Sequence, residues 1–179
     1  MIATNYLGDY GTQFGTMIAA YKLWADADAI NKDPINELLK LYVRYNTEAS
    51  ENPEMMDVAR KEFKNLEDGD PEARRLWQWF KDISLREFER VYSLLDIRFS
   101  DYNGESYNSQ FIPETLELLK EKNLLQESDG AQIVDLSPYD LTPAIIVKSN
   151  GSSSYITRDI GTAINLSLIH ISEPTRRYA

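Results

Sequence analysis

The spacing of apolar residues changes once along the chain, near residue 96, and this change limits the folds that the chain can form. Before it, from about residue 30, apolar side chains recur every three or four positions, which predicts helices. Asp-Pro pairs at 33–34 and 70–71 predict capped helix starts, because proline loses no hydrogen bond at the first helical position. After it, short β-branched or alternating runs are separated by turn signals, which predicts strands. We predict strands at 97–102, 124–126, 131–136 and 144–148, a helix at 113–122, and a last helix from Ser154 or Thr157 to about Ile164.

Strands that alternate with helices in the second half favour an α/β architecture. The helical block at about 30–95 is then an insertion or a subdomain. Ser84 and Glu87 have the spacing of a capping box, so we expect a new helix to start at Ser84. The segment 48–72 holds nine Asp and Glu against three basic residues, which indicates either a solvated surface or a surface for a partner.

Composition excludes several classes of function. Cysteine is absent and His170 is the only histidine, so disulfides, thiolate metal sites and His-rich metal sites are excluded. A net charge of −10 is not that of a free-standing nucleic-acid-binding domain. The longest uncharged run, 160–172, is too short to span a bilayer, and the N-terminus lacks the pattern of a signal peptide. We therefore expect a soluble, cytoplasmic protein.

Three glycines lie close together in NYLGDYGTQFG, residues 5–15. This glycine density predicts a tight loop in which the backbone approaches a neighbouring group closely. Its polar and aromatic side chains suit a loop that lines a polar pocket, but a glycine-rich turn without a ligand explains the pattern equally well.

Tyr155 and Asp159 lie four residues apart in YITRDIGTAI, residues 155–164, and share one face if this segment is helical. A carboxylate can accept two parallel N–H bonds from a guanidinium, and a phenol beside it adds a further polar contact. The alternative is that Arg158 or another cation neutralises Asp159 while Tyr155 serves packing.

These two segments, in this order, resemble arginyl-tRNA synthetase, a class I aminoacyl-tRNA synthetase. The intervening segment 84–108, which ends in a Gly-Glu-Ser-aromatic sequence, resembles the family as well, and so does IIVKSNGSSSY just before YITRD. The resemblance covers about residues 2–164 and implies part of a Rossmann-type catalytic domain with a helical insertion.

The resemblance also implies an activity and a substrate site. Enzymes of this family activate arginine with ATP and Mg²⁺ and transfer it to the arginine tRNA, and the Tyr and Asp of the Y-x-T-R-D segment bind arginine. These roles carry over to Tyr155 and Asp159. The family's two ATP-binding motifs and its tRNA-binding domains do not match this chain, so we assign no catalytic, cofactor or metal residue. We expect the isolated chain to be inactive.

Residues 165–179, NLSLIHISEPTRRYA, do not resemble the family, and we interpret them as an unrelated tail, an artefact of sequencing or cloning. The catalytic part is then residues 1–164. Two alternatives stay open: a non-enzymatic helical interaction module that uses the acidic surface 48–72, and an α/β nucleotide-binding domain with another substrate. The absence of a phosphate-loop motif disfavours the second of them. No protein partner is implied by the resemblance.

Overall fold

The computed structural model describes residues 3–171, with side chains for residues 3–166. These residues form two units. The helical unit consists of residues 3–5 and 9–102, and the sheet unit consists of residues 6–8 and 103–171. The chain therefore passes through the sheet unit briefly at residues 6–8, inside the glycine-rich segment.

Five helices build the helical unit: α1 (Thr12–Trp24), α2 (Ala27–Lys32), α3 (Pro34–Glu51), α4 (Pro53–Asp68) and α5 (Pro71–Leu94). Asp70 caps α5 as predicted, because its carboxylate accepts from the Ala73 N–H at 2.9 Å. The predicted cap of α3 is wrong in part. The helix does begin at Pro34, but the Asp33 carboxylate accepts from the Asn36 side chain and makes no cap bond to the backbone.

Two buried clusters stabilise the helical unit. One is built around Ile18, Phe63 and Leu76, each at most 1% exposed, and the other is built around Tyr45. Helices α1 and α4 approach closely at Gly15, where a Cβ atom would collide with the Ala59 carbonyl oxygen. The apolar stripes predicted at helical spacing contribute to this core only in part: Leu38 and Phe63 are buried, whereas neighbouring members such as Leu39, Val43 and Val58 are exposed.

Two local predictions in this unit are wrong. Helix α5 runs without a break through Ser84, whose hydroxyl donates to the Phe80 carbonyl four residues earlier and so does not cap a new helix. The segment 97–102 is not a strand; only Asp101 forms a single parallel bridge, with Thr4. The Ile97 N–H donates to the Tyr92 carbonyl at the end of α5, and the pairing with the N-terminal residues is limited to the Ser100 N–H, which donates to the Ala3 carbonyl, and the Asp101 carbonyl, which accepts from the Asn5 N–H.

The sheet unit combines short helices with one sheet. Its elements are α6 (Glu105–Asn108), a 3₁₀ turn (Ser109–Phe111), α7 (Ile112–Glu121), β1 (Leu125–Ser128), β2 (Ala131–Val134), a second 3₁₀ turn (Ser137–Tyr139), β3 (Ala144–Val147) and α8 (Tyr155–Ile171). The three strands pair antiparallel in the order β1-β2-β3. Helices together with a small sheet agree with the predicted α/β class.

Helix α8 passes through Ile164, where we predict the matching part of the chain to end, and continues to Ile171. Residues 172–179 of the predicted tail lie outside the described residues. Among residues 3–171, none of the helices combines the length and the apolar character that crossing a bilayer requires.

Candidate functional site

A tight turn after β3 places the start of α8. The Lys148 N–H donates to the Ser152 carbonyl, and the Ser154 N–H donates to the Ile146 carbonyl of β3. The Thr157 hydroxyl donates to the same Ile146 oxygen at 2.5 Å, and both side chains are fully buried. The first turn of α8 is thus hydrogen-bonded directly to the sheet, which sets the direction in which its other side chains point.

Arg158 anchors the next part of α8 inside the sheet unit. Its guanidinium donates to the Glu105 carboxylate at 3.1 Å and to the Ser153 hydroxyl at 3.0 Å, and the residue is 4% exposed. Glu105 is itself placed by its N–H, which donates to the Leu7 carbonyl at 2.9 Å. Because the positive charge of Arg158 is used by Glu105, it is not available to neutralise Asp159.

Tyr155 and Asp159, unlike the buried Arg158, are exposed to solvent, and Tyr155 is 66% exposed. Within residues 3–166, the Asp159 side chain makes no hydrogen bond or ion pair. The helix brings the two side chains to one face, as their spacing predicts. The arrangement offers an unneutralised carboxylate next to a phenol, which suits a planar cation.

Gly161 allows α8 to approach the rest of the sheet unit closely. A Cβ atom at this position would lie 3.2 Å from the Phe111 Cβ and 3.4 Å from the Thr115 hydroxyl oxygen. This close packing covers the inner side of α8 and leaves the side that carries Tyr155 and Asp159 open.

Tyr6 reaches the same helix from the glycine-rich segment. Its hydroxyl lies 3.3 Å from the Thr162 hydroxyl, and the residue is 43% exposed. Burial, together with the negative charges of Glu105 and Asp159, raises the pKa of Tyr6 above its ordinary value. Sequence reasoning missed Tyr6 and Glu105, although both lie in segments that resemble the family; only the fold brings them to α8.

The remainder of the glycine-rich segment belongs to the helical unit, where Asp9 and Tyr10 are buried. Asp9 is buried with its carboxylate 2.6 Å from the Lys81 amine, and its carbonyl accepts from the Trp77 indole N–H at 2.7 Å. Tyr10 packs edge-on against the rings of Phe63 and Trp77. Later in the segment, Gln13 and Phe14 line an open apolar cavity of about 400 Å³ within the helical unit, so a pocket-lining role is not limited to residues 6–8.

Among the residues that the structure describes, no group of three or more acidic or histidine side chains is arranged to hold a metal ion. Magnesium is commonly held by one or two carboxylates together with the phosphates of a substrate, so this finding concerns a site built from protein groups alone.

Comparison with known proteins identifies the family. The family model described as "tRNA synthetases class I (R), catalytic domain" matches residues 1–170. The arginine–tRNA ligase of Streptococcus suis (strain 05ZYH33) is 58% identical over 163 residues, which are 91% of this chain and 29% of the relative. That of Limosilactobacillus reuteri (strain DSM 20016) is 52% identical over 164 residues, which are 92% of this chain and 29% of the relative.

Solved structures agree with this assignment. The crystal structure of arginyl-tRNA synthetase from Plasmodium falciparum matches 90% of this chain and 27% of that protein, with a TM-score of 0.65 and 26% identity. The Thermus thermophilus arginyl-tRNA synthetase, at 21% identity and a TM-score of 0.52 over 91% of this chain and 28% of that one, supports the fold alone. These matches confirm the predicted fold class and favour the synthetase family over the interaction module.

The chain spans 29% of the length of the curated relatives that it matches. Neither the pairwise matches nor the family match tests the predicted boundary at residue 164 or the extent of the insertion, which stay predictions. Because the family model covers almost the whole sequence, the chain belongs to the family of class I tRNA synthetase (R) catalytic domains.

Proposed function

We propose that this chain forms part of an arginine–tRNA ligase and that Tyr155 and Asp159 bind the guanidinium group of arginine. The observation that carries this proposal is the exposed Asp159 carboxylate, which has no partner among the described residues while the adjacent Arg158 is paired with Glu105. Identity of 58% to an arginine–tRNA ligase over 91% of the chain supports the choice of ligand.

The chemistry of the two side chains supports arginine over lysine. A guanidinium is planar and presents N–H groups in a fork that matches both oxygens of one carboxylate. A lysine ammonium is a compact point charge and cannot make the same two parallel bonds. A hydrogen bond to a charged group contributes about 1.5–3 kcal/mol, which is enough to discriminate between the two amino acids.

For the longer protein, we propose the full reaction of the family. Arginine is activated with ATP in the presence of Mg²⁺ and then transferred to the arginine tRNA, in the cytoplasm. We expect this activity from a chain as long as the curated relatives, and we expect the 179-residue chain alone to be inactive, since it spans 29% of their length.

The test is a chimaera in which the 163 matching residues of this chain replace their counterparts in the Streptococcus suis ligase. We expect Asp159→Asn to raise the KM for arginine by about tenfold or more, because the loss of a charged hydrogen bond exceeds about 1.4 kcal/mol. The KM for ATP should stay unchanged, since Asp159 is proposed to contact only the amino-acid side chain.

The matched control is Asp129→Asn, which changes an exposed aspartate in the turn between β1 and β2. Its φ of 49° is a conformation that asparagine also adopts, so we expect no change in either KM. An unchanged KM for arginine in Asp159→Asn would remove Asp159 from the site.

A further inference from the structure

We infer that Tyr6 is a third guanidinium-binding residue and that it acts as a hydrogen-bond acceptor beside Tyr155 and Asp159. The inference rests on the proposed function, because it assigns a further residue to the same arginine site. The structure brings Tyr6 there through its contact with Thr162, 156 residues later in the chain.

The position of Tyr6 follows from helix geometry. Thr162 comes three residues after Asp159 and seven after Tyr155, so all three lie along one stripe of α8. The Tyr6 hydroxyl is 3.3 Å from the Thr162 hydroxyl, which places the phenol oxygen on this stripe. Tyr6 and Asp159 are both exposed, so a ligand bound to the carboxylate can reach the phenol.

The direction of the hydrogen bond decides what Tyr6 can bind. The Thr162 hydroxyl donates its only hydrogen to the Arg158 carbonyl at 2.9 Å. It must therefore accept from Tyr6, whose own hydrogen is used in that bond. The phenol oxygen keeps its lone pairs for an N–H donor, and it has no hydrogen left for the carboxylate or carbonyl of a ligand.

The charges around the phenol favour a cation. Among the neighbouring charges, those of Glu105 and Asp159 raise the pKa of the Tyr6 hydroxyl, which indicates a negative field at its oxygen, and that of Arg158 lowers it. Arg158 is paired with Glu105, so the carboxylate that remains for a ligand is that of Asp159. A guanidinium has five N–H groups, enough to donate to the carboxylate and to both phenols.

The experiment compares Tyr6→Phe with Asp159→Asn in the active chimaera, measuring the KM for arginine, the KM for ATP, kcat and the unfolding temperature. We expect Tyr6→Phe to raise the KM for arginine by about five- to tenfold and to leave the KM for ATP and kcat unchanged. A merely structural role would lower the unfolding temperature or change both KM values together, and either result would overturn the inference.

Two further variants sharpen the result. Thr162→Val keeps the shape of the side chain but removes the hydroxyl that orients Tyr6, so we expect a smaller rise in the KM for arginine alone. Tyr139→Phe changes a tyrosine of the sheet unit that is 74% exposed and should alter nothing. If Asp159→Asn raises the KM for arginine and Tyr6→Phe does not, the inference about Tyr6 is wrong but the proposed arginine site stands. If neither variant raises the KM for arginine, both the inference and the proposed site are wrong.

Discussion

The guanidinium of Arg158 and the carboxylate of Glu105 form a largely buried ion pair, with side-chain exposures of 5% and 20%. An ion pair in such a place contributes little net free energy when it is intact, because both charges lose their hydration. Removing one partner destabilises the fold, because the remaining charge is left buried without an opposite charge beside it. The pair therefore acts as an orienting device for α8 more than as a source of stability.

The substitution Glu105→Gln tests the cost of leaving the Arg158 charge buried without its carboxylate partner. We expect the free energy of unfolding to fall by about 3 kcal/mol, because Arg158 keeps its charge and loses its carboxylate partner. Urea unfolding of the 179-residue chain, followed by circular dichroism, measures the change.

The same substitution at an exposed pair is the control. Glu87 accepts three hydrogen bonds from Arg90 on the surface of α5, at 2.7–3.0 Å. Exposed pairs contribute little, so Glu87→Gln should leave the unfolding midpoint unchanged. Equal midpoints for both variants would contradict the cost that we assign to a buried Arg158 without its carboxylate partner.

At the scale of elements, the contact between α1 and α4 depends on one residue without a side chain. A Cβ atom at Gly15 would collide with the Ala59 carbonyl oxygen and lie 2.9 Å from the backbone nitrogen of Phe63. Alanine is a better helix former than glycine by about 1 kcal/mol. The steric term exceeds this gain, because a helical carbonyl cannot rotate away from the added methyl group.

We expect Gly15→Ala to lower the free energy of unfolding by about 1–3 kcal/mol, as overpacking of a core does. The control is Gly8→Ala, where the nearest atom to an added Cβ is a Glu105 carboxylate oxygen at the ordinary distance of 3.7 Å. Gly8→Ala should be neutral or slightly stabilising, because the unfolded chain loses freedom. A stabilising effect of Gly15→Ala in thermal unfolding would contradict the close approach of the two helices.

At the scale of the whole molecule, several groups resist losing a proton. Burial, and the charge of Glu62, raise the pKa of Tyr45, whose hydroxyl donates to the Met55 carbonyl at 2.6 Å. Burial lowers the pKa of Lys22, but hydrogen bonds and charges from Glu62 and Glu72 outweigh it and raise the pKa overall. In the unfolded chain these groups return to ordinary values of about 10.

We therefore expect stability to fall as the pH rises above about 10. Groups with a raised pKa hold their protons longer in the folded state, so their contribution is complete below the unfolded pKa and is lost as the pH passes the folded pKa. Urea unfolding at pH 8, 10 and 11 measures the loss.

Tyr45→Phe should lower the unfolding midpoint at pH 8, because the Met55 carbonyl loses its donor, and should also make the decline above pH 10 shallower. Tyr139→Phe, at an exposed position, should leave the decline as it is in the unsubstituted chain. A decline of equal slope in the chain with and without Tyr45 would assign the alkaline loss to other groups.

Features that depend on residues close together in the sequence could be predicted from the sequence alone. The Asp-Pro starts of α3 and α5, the pairing of Tyr155 and Asp159 on one helix face, and the family itself all follow from patterns within a few residues. Such patterns reflect backbone sterics and the 3.6-residue period, which act locally.

The tertiary structure decided which groups meet across long stretches of chain. It pairs Arg158 with Glu105, 53 residues earlier, and places Tyr6 on Thr162, neither of which spacing along the chain can predict. It also overrides two local signals, the capping box at Ser84 and the alternation at 97–102. Local propensities differ by about 1 kcal/mol, so burial and hydrogen bonds with distant partners can outweigh them.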